Sequence, residues 1–323
     1  MIGLRSLKKE VKKTMIQPHE SWNTIDSTKL NAFLECPRSY FYEYILGWRS
    51  EAPNLHLEFG KAWHMAMEHL INNGYSNESI AQAFALFNDH YRQYFPELMD
   101  EVNAPKNPSN ALRALVQYCE EYKDDKFTPI YTEIAGTVPV DETRALHFRM
   151  DSILEVDGMI MSREHKTGST VSRQWTDQWS LAIQTGTYNH VLYCLYPAEQ
   201  VWGVEINGVF FQKKENKFMR VPSRRNLNMM NAWHWTVLHT MNMIQFETNR
   251  MMDVSDSDEV MQAFPCNPTN CTKYFGCRYH DFCMAWSNPI TRCDEIPMGF
   301  KQEWWDPASE ESTAKHVFHL KEK

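Results

Sequence analysis

Apolar and polar residues alternate on both sides of Asp157-Gly158, through the stretch FRMDSILEVDGMIMSREHKTG from Phe148 to Gly168. A period of two marks half-buried strands, and Asp-Gly favours a two-residue turn, so the stretch predicts a β-hairpin. Centring the turn there places Asp151 directly opposite Glu164. Lys166, two residues further on, leaves the same face as Glu164. Like charges across a ladder are unfavourable. At roughly 5 Å they repel by about 0.8 kcal/mol in water, and by more where solvent is excluded. A divalent cation is the natural counter-charge, with Lys166 beside it. The alternative is a solvated hairpin face with an ordinary Glu–Lys neighbourhood.

Elsewhere the apolar period is mostly helical. Ser27 is an N-cap candidate for STKLNAFLECPRSYFYEYILG, where Leu30, Phe33 and Leu34 form one stripe. Pro37 opens a second segment, which leaves Cys36 at the joint. Leu57 to Ile71 reads as a helix with Phe59, Trp63, Met67 and Leu70 inward. Gly60, His64 and Glu68 follow one another at four-residue spacing. By spacing alone, His64 is an ordinary half-buried histidine. Residues 78–126 hold two more helical patterns around a polar, Pro-rich loop. Ile130 to Val140 reads as a strand containing Glu133. Gln174 to Tyr196 reads as one helix on which Gln184 and Tyr188 project together. Val201 to Gln212 is a strand, followed by the basic residues Lys213, Lys214, Lys217, Arg220, Arg224 and Arg225. These form either a solvated turn or a phosphate-contacting rim. Leu227 to Arg250 is a long helix, and the tail after Cys293 is expected to be partly disordered.

Composition narrows the class. No run of about 18 apolar residues suggests a membrane span. The basic start, MIGLRSLKKEVKK, lacks the apolar segment of an export signal and reads as a mobile arm. A net charge of −8 argues against broad coating of nucleic acid, but leaves room for a local basic groove. Aromatic residues, 13% of the chain, supply core volume and surfaces for base stacking. The eight cysteines are 36, 119, 194, 266, 271, 277, 283 and 293. Without an export signal, such crowding near the end favours a metal or iron–sulfur site in a reducing, cytoplasmic setting. Cys271, Cys277 and Cys283 are evenly spaced and need a fourth ligand. Cys36 is the natural supplier and Cys266 the competitor. Four thiolates suit a [4Fe–4S] cluster or a structural zinc, and the absence of CxxC knuckles favours the cluster. Tying Cys36 to Cys271 would remove about 5 kcal/mol of unfolded-chain entropy, by analogy with a covalent cross-link.

Taken in order, the segments STKLNAFLECPRSYFYEY, FGKAWHMAMEHL, FRMDSI, EHKTG, QTGTYNHVLY and CTKYFGCRYHDFC resemble the RecB-like exonuclease branch of the PD-(D/E)xK nuclease superfamily. More narrowly, they resemble its iron–sulfur-stapled members of phage and CRISPR-associated type. The resemblance spans Ser27 to Trp286. It implies an α/β, restriction-endonuclease-like fold: a mixed central β-sheet flanked by helices, with a helical insertion and a stapled C-terminal segment. The expected organisation is a basic arm (1–26), a helical region (27–128), the nuclease core (129–250), a cysteine segment (251–290) and a tail (291–323).

The same resemblance assigns roles. His64 would be the metal-binding histidine, Asp151 the bridging ligand and Glu164 the acidic ligand, with the His165 carbonyl as a further oxygen. Lys166 would orient or activate the attacking water. Gln184 and Tyr188 would position the lysine and the DNA, and Glu133 would hold a second metal or a water. Cys36, Cys271, Cys277 and Cys283 would hold the cluster. The family often has Asp at the position of Glu164 and an aromatic at that of His165, whose imidazole should leave the opposite face. The implied activity is Mg²⁺- or Mn²⁺-dependent hydrolysis of DNA that is single-stranded or has free ends, in a bacterial or phage-encoded setting. Protein partners would belong to recombination or replication. The rival readings are a nucleic-acid-binding subunit with a degenerate site, and a zinc-stapled structural protein.

Overall fold

The computed structural model describes residues 16–273 and 276–321. Most of the expected basic arm, 1–15, lies outside the described residues. In chain order the elements are α1 (Ser27–Glu35), α2 (Pro37–Tyr40), β1 (Trp48–Ser50), α3 (Leu55–Asn73), α4 (Asn77–Arg92), α5 (Pro108–Glu121), β2 (Thr128–Pro139), β3 (Ala145–Val156) and β4 (Met159–Gly168). They continue with α6 (Arg173–Asp177), α7 (Ile183–Leu195), β5 (Val201–Phe210), β6 (Lys217–Ser223), α8 (Leu227–Met251), α9 (His280–Ala285), β7 (Phe300–Gln302) and β8 (His316–His319). Two compact units result. One comprises Ile25–Ser27, Ala52–Trp235 and Pro307–Lys323; the other comprises Met1–Thr24, Thr28–Glu51 and Thr236–Asp306.

The first unit is α/β. Its mixed sheet has the order β6-β5-β4-β3-β2-β8, with β4–β5 and β2–β8 parallel and the other pairs antiparallel. The β3–β4 hairpin turns at Asp157 and Gly158, both at positive φ (51° and 77°), as a primed turn requires. Val156 pairs with Met159, and the register runs on to Ser152–Arg163. There the ladder stops. Beyond it β3 stays bonded to β2, and β4 to β5, so the two strands part like a fork. Asp151 and Glu164 are the first residues past the last pair. The expected opposition therefore holds in sequence register, but the ladder ends one pair short of it.

Helix α3 is capped by Asn54, whose side chain accepts from the N–H groups of His56 and Leu57. Phe59, Ala62, Trp63, Ala66, Met67 and Leu70 form its buried stripe. They pack with Phe87 and Tyr91 of α4, Leu115 and Tyr118 of α5, and Val209 and Phe211. This stripe fixes α3 so that His64, on its polar flank, faces the fork.

Three expectations need correction. The single helix expected over 174–196 is broken into α6, a 3₁₀ turn (Gln178–Ser180) and α7. At the break, the Trp179 and Ala182 carbonyls accept from the Thr185 hydroxyl, and Ala182 also from Arg225. Side chains thus replace the helical bonds. The basic cluster is partly structural: Arg220 lies on strand β6 and pairs with Asp125, and Arg225 is buried against α7. The tail, through residue 321, carries strands β7 and β8. Strand β8 adds to the β2 edge at Gly136, where φ is +148° and a Cβ would lie 1.7 Å from the Phe318 carbonyl oxygen.

The second unit carries a short β1–β7 pair and an aromatic core. Tyr42 stacks on Trp48 (5.6 Å between centroids), and Phe282 stacks on Trp286 at 4.8 Å. Arg38 reaches the Phe264 carbonyl at 2.8 Å, so the chain around 264–267 lies against the α1–α2 joint.

Candidate active site in the strand fork

Opening a sheet exposes backbone groups that need partners. Here side chains supply them. The His165 N–H, on β4, donates to Asp151 Oδ2 at 2.7 Å. The Arg149 carbonyl, on β3, accepts from the Tyr188 hydroxyl of α7. The fork is thus held open by the residues that line it.

Asp151 is held from a second side, with His64 Nδ1 3.0 Å from Oδ1. Burial pulls the His64 imidazolium down, but the Asp151 carboxylate more than offsets this and raises it to about 9. Burial pushes Asp151 up in turn, yet His64 and the His165 N–H hold it well below the usual carboxylate range. Glu164 differs. It is 3% exposed. Burial, then the neighbouring Asp151 charge, raise its carboxyl to about 7 against the opposing pull of Lys166 and His64. Its Oε1 accepts from Lys166 Nζ at 2.7 Å and from Gln184 Nε2 at 3.1 Å. Its Oε2 is buried without a hydrogen-bond partner among the described residues. Two close carboxylates, each already paired with a cation, leave one buried Glu164 oxygen without a donor.

The structure thus brings His64, Asp151, Glu164, Lys166, Gln184 and Tyr188 together. Gln184 restrains Glu164 rather than Lys166, and Tyr188 accepts from Gln184 at 2.8 Å while tying it to β3. Glu133, at φ 49° in β2, is clamped by Arg149 at 2.7 Å. Arg149 also binds Glu310 (2.9 Å) and Thr313 (2.7 Å) from the tail, contacts that local sequence pattern does not signal. Burial and the Asp151 charge raise Glu133, with Arg149 opposing. The His165 ring leaves the face of β4 away from Glu164 and bonds Asn207 at 2.9 Å. It is not remote from the site, however: it lies edge-on to the His64 ring, 6.2 Å between centroids. Burial lowers it to about 3, which keeps it neutral beside a charged neighbour.

Among the described residues, no three His, Cys, Asp or Glu side chains stand in ready-made coordination geometry. At the fork, Lys166 and His64 already pair with Glu164 and Asp151. Asp151, Glu164 through its unpartnered oxygen and His64 in its neutral form are the residues that would hold a divalent cation, which would supply the missing partner.

The four candidate cluster cysteines, with Cys266, lie in the other unit. Cys36 caps α2, and its Sγ accepts from the Asn267 N–H at 3.4 Å. The Cys277 N–H donates to the Cys271 carbonyl at 2.9 Å. Burial, then neighbouring thiols, push Cys283 up to about 12, with Cys266 in hydrogen-bond contact. Cys271 is raised by burial and by Cys36 and Cys266. Five cysteines therefore share this neighbourhood, and Cys266 is one of them. Of these, Cys271, Cys277 and Cys283 resist ionisation, chiefly by burial, which fits a group that supplies positive charge.

The family model of the PD-(D/E)XK nuclease superfamily matches residues 27–284. No curated protein matches the chain. The crystal structure of SSO0001 is similar at 13% identity, covering 70% of this chain and 78% of that one, with a TM-score of 0.32. No helix among the described residues is long and apolar enough to cross a membrane.

Proposed function

Because the chain belongs to the PD-(D/E)XK nuclease superfamily, and so to metal-dependent nucleases acting on DNA, we propose that it is a Mg²⁺- or Mn²⁺-dependent exonuclease. Its substrate is single-stranded or unwound DNA. The observation that carries the reading is the buried, unpartnered Glu164 oxygen beside Asp151 and Lys166. The end-directed, single-strand preference rests on the resemblance to RecB-like exonucleases.

Phosphodiester hydrolysis needs an in-line oxygen nucleophile and neutralisation of charge on the phosphate. A divalent cation, when bound, supplies Lewis acidity and a water of lowered pKa. Asp151 and Glu164 would hold it, with His64 in its neutral form, the His165 carbonyl as a further donor and Glu133 beside a second cation or a water. His165 N–H fixes the Asp151 carboxylate. Gln184 and Tyr188 fix the Glu164 carboxylate from α7. Lys166, half-buried and kept charged by Glu164 despite burial, donates to the attacking water or to a phosphate oxygen. In the other unit, Cys36, Cys271, Cys277 and Cys283 would hold a [4Fe–4S] cluster that staples α1–α2 to the C-terminal cysteine segment.

The test is incubation of end-labelled single- and double-stranded DNA with wild type and Asp151→Ala in Mg²⁺ or Mn²⁺. Progressive loss of nucleotides from single-stranded ends by wild type alone is the expected result. Binding without cleavage by both proteins would sink the reading and leave a degenerate binding subunit. Iron and acid-labile sulfide in the purified protein separate a cluster from zinc.

A further inference from the structure

Lys106 is a buried cation with no acid assigned to it. It lies in the loop between α4 and α5 and is 5% exposed. Its backbone is fixed on both sides. The N–H donates to the Asn103 carbonyl at 2.9 Å, and the carbonyl accepts from the Tyr91 hydroxyl at 3.2 Å. The side chain runs over the Phe59 ring, with Nζ 5.6 Å from the centroid. Its one hydrogen bond among the described residues is a long one, 3.5 Å to Thr167 Oγ1. Among the described residues, no carboxylate pairs with it. Burial lowers its ammonium to about 8, with no anion raising it back, so it stays charged at neutral pH. Burying an ammonium without a counter-charge is costly, and folds rarely keep one without a use.

Its place gives the use. Thr167 follows Lys166 on the β4 arm of the fork. Gly60 is one helical turn before His64 on α3, and a Cβ there would meet only Thr167 Oγ1, at 3.9 Å. The missing side chain leaves open space along α3, beside Thr167 and next to the catalytic arm. His56, exposed a further turn along α3, lies close enough to Lys106 to be lowered by it, after burial. An unsatisfied ammonium, a hydroxyl and an open strip of helix therefore sit together on the α3 side of β4, the face opposite Lys166 and one helical turn from His64.

We propose that Lys106 and Thr167 form an anion subsite that holds a phosphate of the DNA strand next to the one being cut. The subsite rests on the nuclease reading. It adds a contact that sets the strand's register, with the substrate phosphate as the missing counter-charge. The phosphate is either an internal diester or a terminal monoester.

The experiment is fluorescence anisotropy of 3′-labelled single-stranded oligonucleotides, with and without a 5′-phosphate, in EDTA across a salt series. Wild type is compared with Lys106→Met, which keeps the length and loses the charge. Met should weaken binding about tenfold, as expected for one charge-assisted hydrogen bond. The slope of log K against log salt should flatten by about 0.7. Loss confined to the 5′-phosphorylated strand assigns a terminal monoester, and equal loss on both assigns an internal diester. The melting temperature of the free variant should rise by a few degrees as the burial cost is relieved, which separates weaker binding from misfolding. Unchanged affinity and unchanged salt slope in a folded Lys106→Met protein overturn the proposal. Binding is read without metal, so failure of wild type to cleave strikes the nuclease reading alone.

Discussion

Replacing Glu164 with Gln should stabilise the metal-free protein while abolishing cleavage. Glu164 is 3% exposed, its Oε2 has no partner, and burial with the Asp151 charge raises its carboxyl from 4.5 to about 7. Between those values the folded state keeps a proton that the unfolded chain has released. Stability therefore falls as pH rises through this window, and the loss is complete above about 7. At about 1.4 kcal/mol per pH unit, the ionised carboxylate costs the fold on the order of 3 kcal/mol. Gln mimics the protonated acid and removes that cost. Urea unfolding in EDTA, followed by tryptophan fluorescence, should show Glu164→Gln more stable than wild type by on the order of 3 kcal/mol at pH 8. The difference should shrink to about 1 kcal/mol at pH 5, where wild type is largely protonated. Saturating Mn²⁺ should then narrow or reverse the order, because only wild type gains binding energy, about 2.7 kcal/mol at a hundred times its dissociation constant. A variant less stable than wild type at pH 8, or a difference that ignores pH, would refute the claim that the fork holds an unrelieved acid pair.

Tyr188→Phe should cost about 1–3 kcal/mol by leaving the Arg149 carbonyl without its hydroxyl donor. It should also lower kcat more than it raises KM, because Gln184 and Glu164 lose their restraint; unchanged kcat and stability would contradict this. Gly136→Ala should detach β8 at a cost of about 1–3 kcal/mol, since its Cβ would lie 1.7 Å from the Phe318 oxygen. Faster tryptic cleavage at Lys315 reads the release. Cys36→Ala and Cys283→Ala should lose iron, whereas Cys266→Ala should retain it. Iron loss in Cys266→Ala with retention in Cys283→Ala would reassign the ligands.

Local pattern carried the hairpin and its acid pair, whereas the roles of His64, Gln184 and Tyr188 came from the resemblance of the ordered segments to a nuclease family. Asp-Gly set the turn, and the period-two register brought Asp151 and Glu164 to adjacent fork positions, because side-chain direction in a strand depends only on parity. Helical period placed His64 beside a fully apolar stripe, and the even cysteine spacing pointed to a shared neighbourhood. These are short-range properties, written within one or two turns of chain. Tertiary structure decided the rest. The ladder stops at Ser152–Arg163, and Tyr188 and Asp151 satisfy the strand edges so exposed. The break before α7, the capture of Arg220 by Asp125, the docking of β8 at Gly136 and the isolation of Lys106 also come from residues distant in sequence. Whether a charge is paired, and whether a strand edge is covered, depends on which distant groups the packed core brings within hydrogen-bond reach. No local period encodes that.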